Sequence, residues 1–195
     1  PEMLPAQHSY MRRQMHPLVL CSPFAHRTFT KPLGYAGDYE MVNMMLRDGW
    51  EGESLFAKVV NLLLVRQCPA QAHRNRIAYL VERLRDETMR VRSAGRLTRV
   101  YNLACGPAHE VQEFVRQSPL ADATDFTLVD FNEETLVHLT TRLSAVKSQS
   151  GRQTPMRFIQ KSVYQLLKES GSGGKNRPAE PYDLIYCAGL FDYLP

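Results

Sequence analysis

The chain of 195 residues is poor in the residues that staple or metallate a fold. It has four cysteines, and Cys21, Cys68, Cys105 and Cys187 form neither a CxxC pair nor a zinc spacing. That argues against a disulfide framework and for a reducing, cytoplasmic setting. The six histidines are equally scattered, with no HExxH and no Cys/His cluster, so no metal site is expected. No apolar run approaches the length of a membrane span. No secretory signal is evident, although the chain opens at Pro1 and reads as trimmed. Charge of one sign is also scarce: Lys and Arg total 24 against 20 Asp and Glu, a mild net charge of +4. GxGxxG, the phosphate-binding turn of dinucleotide enzymes, does not occur.

What is present falls into two parts. Residues 1–95 read as an N-terminal helical cap region. Residues 1–30 carry Pro5, Pro17 and Pro23 and suggest a helix or two with irregular joints. Lys31 to Glu40 is a loop by its turn chemistry, with Pro32, Gly34 and Gly37, and Asp38 is placed to cap a helix through Met41, Met44 and Met45. Apolar spacing predicts helices over 53–66 and 72–93, with Pro69 between them and Gly95 closing the second. Alternation then begins: strand 98–104, helix 108–117, strand 125–130, helix 132–147, strand 156–160, helix 162–168 and strand 182–187. Residues 170–176, rich in Gly and Ser, read as a flexible surface loop. Strand–helix alternation predicts an α/β fold with a parallel, Rossmann-like sheet over 96–195. Strands 98–104 and 125–130 should be neighbours, with 182–187 across the switch point from them.

The densest information lies in Val100-Tyr101-Asn102-Leu103-Ala104-Cys105-Gly106-Pro107-Ala108-His109-Glu110. It reads as strand, tight small-residue turn and helix. Asp130 ends the next strand, 24 residues past Gly106. A turn that admits backbone close to a ligand, followed by a carboxylate able to accept ribose hydroxyls, is the layout of a nucleoside-binding βαβ unit. Glu110 and Glu113 at the start of the helix match pyrophosphate poorly. A nucleoside without phosphate fits better, and S-adenosylmethionine is the candidate.

The turn resembles the first motif of class I methyltransferases, acidic-x-Gly-x-Gly-x-Gly, with Asn102 in the acidic place and Ala104, Gly106 and Ala108 in the glycine places. Lys31-Pro32-Leu33-Gly34-Tyr35-Ala36-Gly37-Asp38-Tyr39 resembles the KPxGYAGD segment of a bacterial methyltransferase family. These are the enzymes of extracellular-factor 3-hydroxypalmitic acid methyl ester biosynthesis. Tyr182 to Leu194, YDLIYCAGLFDYL, is similar to that family's YDxxYxxGLFDYL segment, and Cys68-Pro69-Ala70 with Arg74-Asn75-Arg76 resembles its central helix. The likeness runs from about Arg27 to Leu194. It implies a methyltransferase that uses S-adenosylmethionine and acts on a carboxyl group of a small acid such as a hydroxy fatty acid. It also implies a seven-stranded sheet, of which this chain supplies four strands. The C-terminal strands are therefore expected to be absent from it.

On that resemblance Asp130 should bind both ribose hydroxyls, and Phe131 could lie against the adenine. Gly106 permits close approach of the donor's methionine part, and Asn102 and Ala104 offer it contacts. Ser162 and Val163 take the adenine side, and Cys187 leaves the fourth strand beside the reacting methyl group. Tyr35 and Asp38 are candidate catalytic residues in a loop expected to close over the donor. Tyr35, Phe191 and Tyr193 are candidates for holding the acceptor. Each has a plainer reading beside it: a capped turn for Tyr35 and Asp38, a helix entry for Phe191 and Tyr193, a packing residue for Cys187, core for the methionines. Three further functional readings stay open, a protein carboxyl methyltransferase, an RNA methyltransferase and a non-catalytic S-adenosylmethionine-binding module. The eight arginines from Arg74 to Arg99 could meet RNA, but only Tyr79 interleaves with them. A solvated helix face explains them better, so nucleic acid is not the expected partner. The oligomeric state is not legible.

Overall fold

The computed structural model describes residues 4–47, 49–171 and 181–191. From Ser172 onward the segment expected as a loop lies outside the described residues, and so do Asp192 and Tyr193. The chain forms two compact units, Pro1–Asn75 and Arg76–Pro195. The division falls inside one long helix.

The first unit is helical. Prolines set its starts: α1 (Pro5–Val19) and α2 (Pro23–Thr30) each begin on a proline, whose fixed φ suits the first helical turn. The Ser22 hydroxyl accepts from the Ala25 amide as the α2 cap and donates to Asn61 Oδ1 at 2.8 Å. Asn61 sits on α4 (Leu55–Val65), so one buried amide couples two helices. Between them, α3 (Tyr39–Arg47) buries Met45, while Met41 and Met44 are half-buried. Helix α5 runs Cys68–Arg92, four residues earlier than its apolar spacing suggested. Pro69 therefore opens this helix as well as separating it from α4, for the same reason as Pro5 and Pro23.

The second unit is an α/β layer. Four strands, β1 (Thr98–Leu103), β2 (Thr124–Asp130), β3 (Met156–Gln160) and β4 (Leu184–Cys187), form one parallel sheet in the order β3-β2-β1-β4. The expected neighbours pair: Val100 lies opposite Phe126, and Asn102 opposite Tyr186. This order is compatible with a Rossmann-like sheet. Its switch point lies between β1 and β4, where the chain crosses back over the sheet. Helices α6 (His109–Gln117) and α7 (Glu133–Ser150) join β1 to β2 and β2 to β3. Their core with the sheet is Val100, Phe126 and Leu128 against Val111, Phe114, Leu139 and Leu143. Leu84 of α5 belongs to the same core, and Thr88 hydrogen bonds across to Thr124 of β2. A last helix, α8 (Val163–Gly171), leads from β3 towards β4.

Strand β4 starts at Leu184, two residues later than the sequence suggested. Asp183 is held outside the strand: it takes two hydrogen bonds from Arg96 and one from the Arg99 amide. Arg96 keeps its carboxyl below the ordinary range, against the opposing effect of burial. Among the described residues no helix is long and apolar enough to cross a membrane.

Candidate functional site

The β1–α6 turn has an unusual backbone. Ala104, Gly106 and Ala108 all have positive φ, at 53°, 53° and 42°. These are the three positions laid onto the glycines of the motif. Two of them hold alanine, which the left-handed region costs about 1–2 kcal/mol each. A turn kept in that shape against its own residues must be held from outside.

Four contacts hold it. The Cys105 amide donates to Val129 O of β2 at 2.9 Å, carrying contact with β2 two residues beyond β1. The Ala108 amide closes the turn onto Cys105 O. The buried Gln112 side chain donates to Pro107 O at 2.7 Å. The Gly106 amide donates to Asp130 Oδ2 at 3.0 Å. Asp130 thus joins the end of β2 to the middle of the turn, and its Oδ1 accepts from the Asn132 amide. It is 5% exposed, and burial raises its carboxyl pKa against the lowering effect of the Asn132, Gly106 and Phe131 amides.

Beneath the turn lies a buried polar cluster. Glu110, in the first turn of α6, accepts at Oε1 from Tyr186 Oη at 2.8 Å and from Asn102 Nδ2 at 3.0 Å. Asn102 Nδ2 also reaches Tyr186 Oη at 3.1 Å. β1–β4 pairing sets Asn102 beside Tyr186, and the turn brings α6 back over both. Burial raises the Glu110 carboxyl, offset by its own amide, Tyr186, Arg76 and Asn102. Burial also pushes the Tyr186 phenol well above its usual range, and the Glu110 carboxylate adds to this. Asn102 Oδ1 is buried and has no hydrogen-bond partner.

The structure brings Asn102, Ala104, Gly106 and Asp130 together at the carboxyl ends of β1 and β2. Phe131 is half-exposed beside Asp130. Ser162 and Val163 follow β3, where Ser162 forms a capping box with Gln165. The Ser162 amide meets Gln165 Oε1 at 2.8 Å, and the Gln165 amide meets Ser162 Oγ at 3.2 Å. The Ser162 side chain therefore serves α8. Cys187 ends β4 opposite Leu103, and Phe191 is 75% exposed. Tyr193 lies outside the described residues.

Tyr35 and Asp38 belong to the first unit. Asp38 is 1% exposed and fully engaged there: Arg27 Nε donates to both carboxylate oxygens at 2.9 and 3.0 Å, and the Met41 amide caps onto Oδ1 at 2.8 Å. Its observed work is to start α3 and hold α2 to it. The cap was legible from the residues around Asp38; the arginine eleven positions upstream was not. Sequence reasoning also missed Gln112 and Tyr186, and took Glu110 only as an anion-repelling residue at a helix start. A polar residue on an inward face of α6, between Val111 and Phe114, was the available signal for Gln112.

No protein family matches the chain, and no curated protein matches it. Among solved structures, a protein of Bordetella parapertussis described as a possible exported protein is similar in fold, with a TM-score of 0.55 and 18% identity. The match covers 97% of this chain and 64% of that one, so the chain spans less than two thirds of its structural neighbour.

Proposed function

We propose that the second unit binds S-adenosylmethionine and that the protein is a methyltransferase, O-methylating a carboxyl group of a small acid such as a hydroxy fatty acid. One observation carries the donor part of this reading: a turn with three left-handed residues, tied through the Gly106 amide to a carboxylate at the end of the neighbouring strand. The Gly106, Asn132 and Phe131 amides all hydrogen bond to Asp130, whose carboxylate has about four lone-pair sites, which leaves acceptor capacity for a ribose hydroxyl. Gly106 has open space where a Cβ would stand, so a ligand can lie against its backbone. Asn102 Oδ1 still needs a donor. The acceptor part rests on the likeness of the Lys31–Tyr39 and Tyr182–Leu194 segments to the fatty-acid methyl ester family, and Tyr35 and Asp38 enter only by it. Free cysteines at 21, 68, 105 and 187 suit a cytoplasmic enzyme.

When bound, the sulfonium donor supplies an electrophilic methyl group for in-line displacement. The chain's part is to position the two reactants and exclude water. A carboxylate acceptor is ionised at neutral pH, so no strong general base is needed. Asp130 and the turn would fix the nucleoside. The carboxyl end of β4, at Cys187 and Gly189, would border the reacting end.

Calorimetric titration with S-adenosylmethionine and S-adenosylhomocysteine tests this. Micromolar binding by the wild-type chain, lost in Asp130→Ala and reduced in Asp130→Asn, is expected, and would justify a screen of hydroxy fatty acids as acceptors. Folded protein that binds neither nucleoside would sink the reading and leave the fold standing.

A further inference from the structure

One helix of the first unit wears its large apolar side chains on the outside. The buried positions of α4 are Ala57, Asn61 and Val65. Asn61 fixes that orientation, because its Oδ1 accepts from Ser22 Oγ at 2.8 Å and from the Phe24 amide at 3.0 Å. Rotating the helix to bury its opposite face would break this buried polar contact. On that opposite face Leu55 is 76% exposed, Phe56 54%, Val59 48% and Leu63 60%, with Leu62 half-buried beside them. A contiguous apolar patch of this kind marks an interaction surface.

The pattern of the patch points to its occupant. Leu55, Val59 and Leu63 step by four along one ridge, with Phe56 and Leu62 on its two sides. Val59 is the midpoint. Turning the helix end over end about it puts Leu55 on Leu63 and Phe56 on Leu62. A face that maps onto itself in this way is what a two-fold interface requires, since the same patch must serve both copies. The ends of α4 fix the direction. Glu51 and Glu53 precede the helix, and Arg66 stands at its C-cap. Two parallel copies would set acid against acid and base against base. In an antiparallel pair the acidic end of each copy meets the basic end of the other. A lipid layer would make no use of these opposed charges.

We propose that α4 is the contact between two copies of this chain, antiparallel across a two-fold axis at Val59. Val59 packs on its own counterpart, Leu55 lies over the partner's Leu63, Phe56 lies over the partner's Leu62, and Glu53 faces the partner's Arg66. The patch is on the order of a few hundred Å² per copy, under the roughly 800 Å² per partner of a standard interface. The pairing is therefore weak and reversible, with monomer and dimer exchanging at micromolar concentrations. The inference concerns the first unit alone and does not depend on the donor site.

Sedimentation velocity over a range of micromolar concentrations tests this. The wild-type chain should pass from monomer to dimer. Val59→Glu sets two carboxylates against each other and should raise the dimer dissociation constant tenfold or more. Because Val59 is half-exposed, the dilute variant should melt as the dilute wild type does. Glu53→Arg should weaken pairing about threefold, and Glu53→Arg with Arg66→Glu should restore it to within twofold. Cross-linking reads the register, with the Cys68→Ser chain as blank. In that background Val59→Cys should give a disulfide-linked dimer. Leu55→Cys should not, because it lies eight residues, about 12 Å, from its own counterpart along the axis. A chain that stays monomeric at every concentration would overturn the proposal. So would a dimer that Val59→Glu leaves intact, or a monomer that binds phospholipid vesicles through Val59 instead.

Discussion

The left-handed alanines of the β1–α6 turn give a prediction that needs no ligand. Ala104, Gly106 and Ala108 share the same region of φ, but they differ in residue and burial. For Ala104→Gly, release of left-handed strain is worth about 1–2 kcal/mol. The added freedom of glycine in the unfolded chain costs about 0.5–1 kcal/mol. Ala104 is only half-buried, so its methyl group contributes little, and the variant should be more stable by about 0.5–1 kcal/mol. Ala108 is 1% exposed. Removing that methyl costs about 0.8 kcal/mol more, which brings Ala108→Gly close to neutral. Gly106→Ala runs the other way. No atom lies within 4 Å of the added Cβ, so sterics contribute nothing and the backbone decides. About 1–2 kcal/mol of strain against about 0.4–1 kcal/mol of unfolded-state entropy leaves a loss of about 0.5–1 kcal/mol. Urea melts followed by circular dichroism would order the series as Ala104→Gly above wild type, Ala108→Gly level with it and Gly106→Ala below. Each kcal/mol should also move Tm by about 2–4 °C. Destabilisation of more than 0.5 kcal/mol by Ala104→Gly would refute the argument, because the turn would then not be strained at that residue.

Three further outcomes are expected. Asp38→Ala should cost about 2–3 kcal/mol, because it removes the α3 cap and leaves Arg27 without its partner; a double-mutant cycle with Arg27→Ala should return most of that as coupling. His109 is held neutral by burial, with Arg142 adding to the effect, and its pKa falls to about 4. The unfolded chain binds this proton from about pH 6.5 downward and the folded chain does not. Stability from this group is thus intact above that pH, is lost as pH falls to about 4, and then levels off. The loss is on the order of 3 kcal/mol. Glu110 and Asp130, with raised folded values, contribute with the opposite sign, so the difference between wild type and His109→Gln in acid melts isolates the histidine. Among the thiols, Cys68 is exposed, whereas burial, followed by the Asp130 and Glu110 charges, raises Cys105 well above its usual range. Maleimide should therefore label Cys68 quickly and Cys105 only in denaturant, and prompt labelling of native Cys105 would contradict the packing of the turn.

Much of the sheet unit was legible, for a local reason. Each strand is a short apolar run closed by a turn or cap signal, so period and punctuation agree. Asn132 caps α7 at Thr135 as its position suggests, and β3 spans 156–160 as read. Strands β1 and β2 are neighbours and β4 lies across the switch point as expected, whereas the place of β3 beyond β2 was not read from the sequence, because alternation and right-handed crossovers leave the point of reversal open. The misplaced ends have physical causes. Strand β1 stops one residue early because Ala104 turns left-handed, and β4 starts late because Asp183 is drawn to Arg96. Helix α5 begins early because a proline suits a helix start as well as it ends what precedes it.

The site was legible in its backbone and hidden in its polar partners. A small-residue turn followed by a carboxylate at a strand end can be read from spacing alone, and the structure ties those two pieces together through the Gly106 amide. The Asn102–Glu110–Tyr186 cluster could not be read that way. Asn102 and Tyr186 are 84 residues apart, and their meeting depends on strand register, which no local pattern carries. Glu110 reads from the sequence only as an acid at a helix start that would repel a pyrophosphate, which treats it as facing solvent or ligand rather than the interior. Its burial follows from the turn. With Ala108 left-handed immediately before α6, the helix starts at an angle that sends Glu110 and Gln112 inward and leaves Glu113 outside with Arg116. The strain in the backbone and the buried charge are therefore one feature. The turn that brings backbone within reach of a ligand is also what puts a carboxylate at the floor of the switch point.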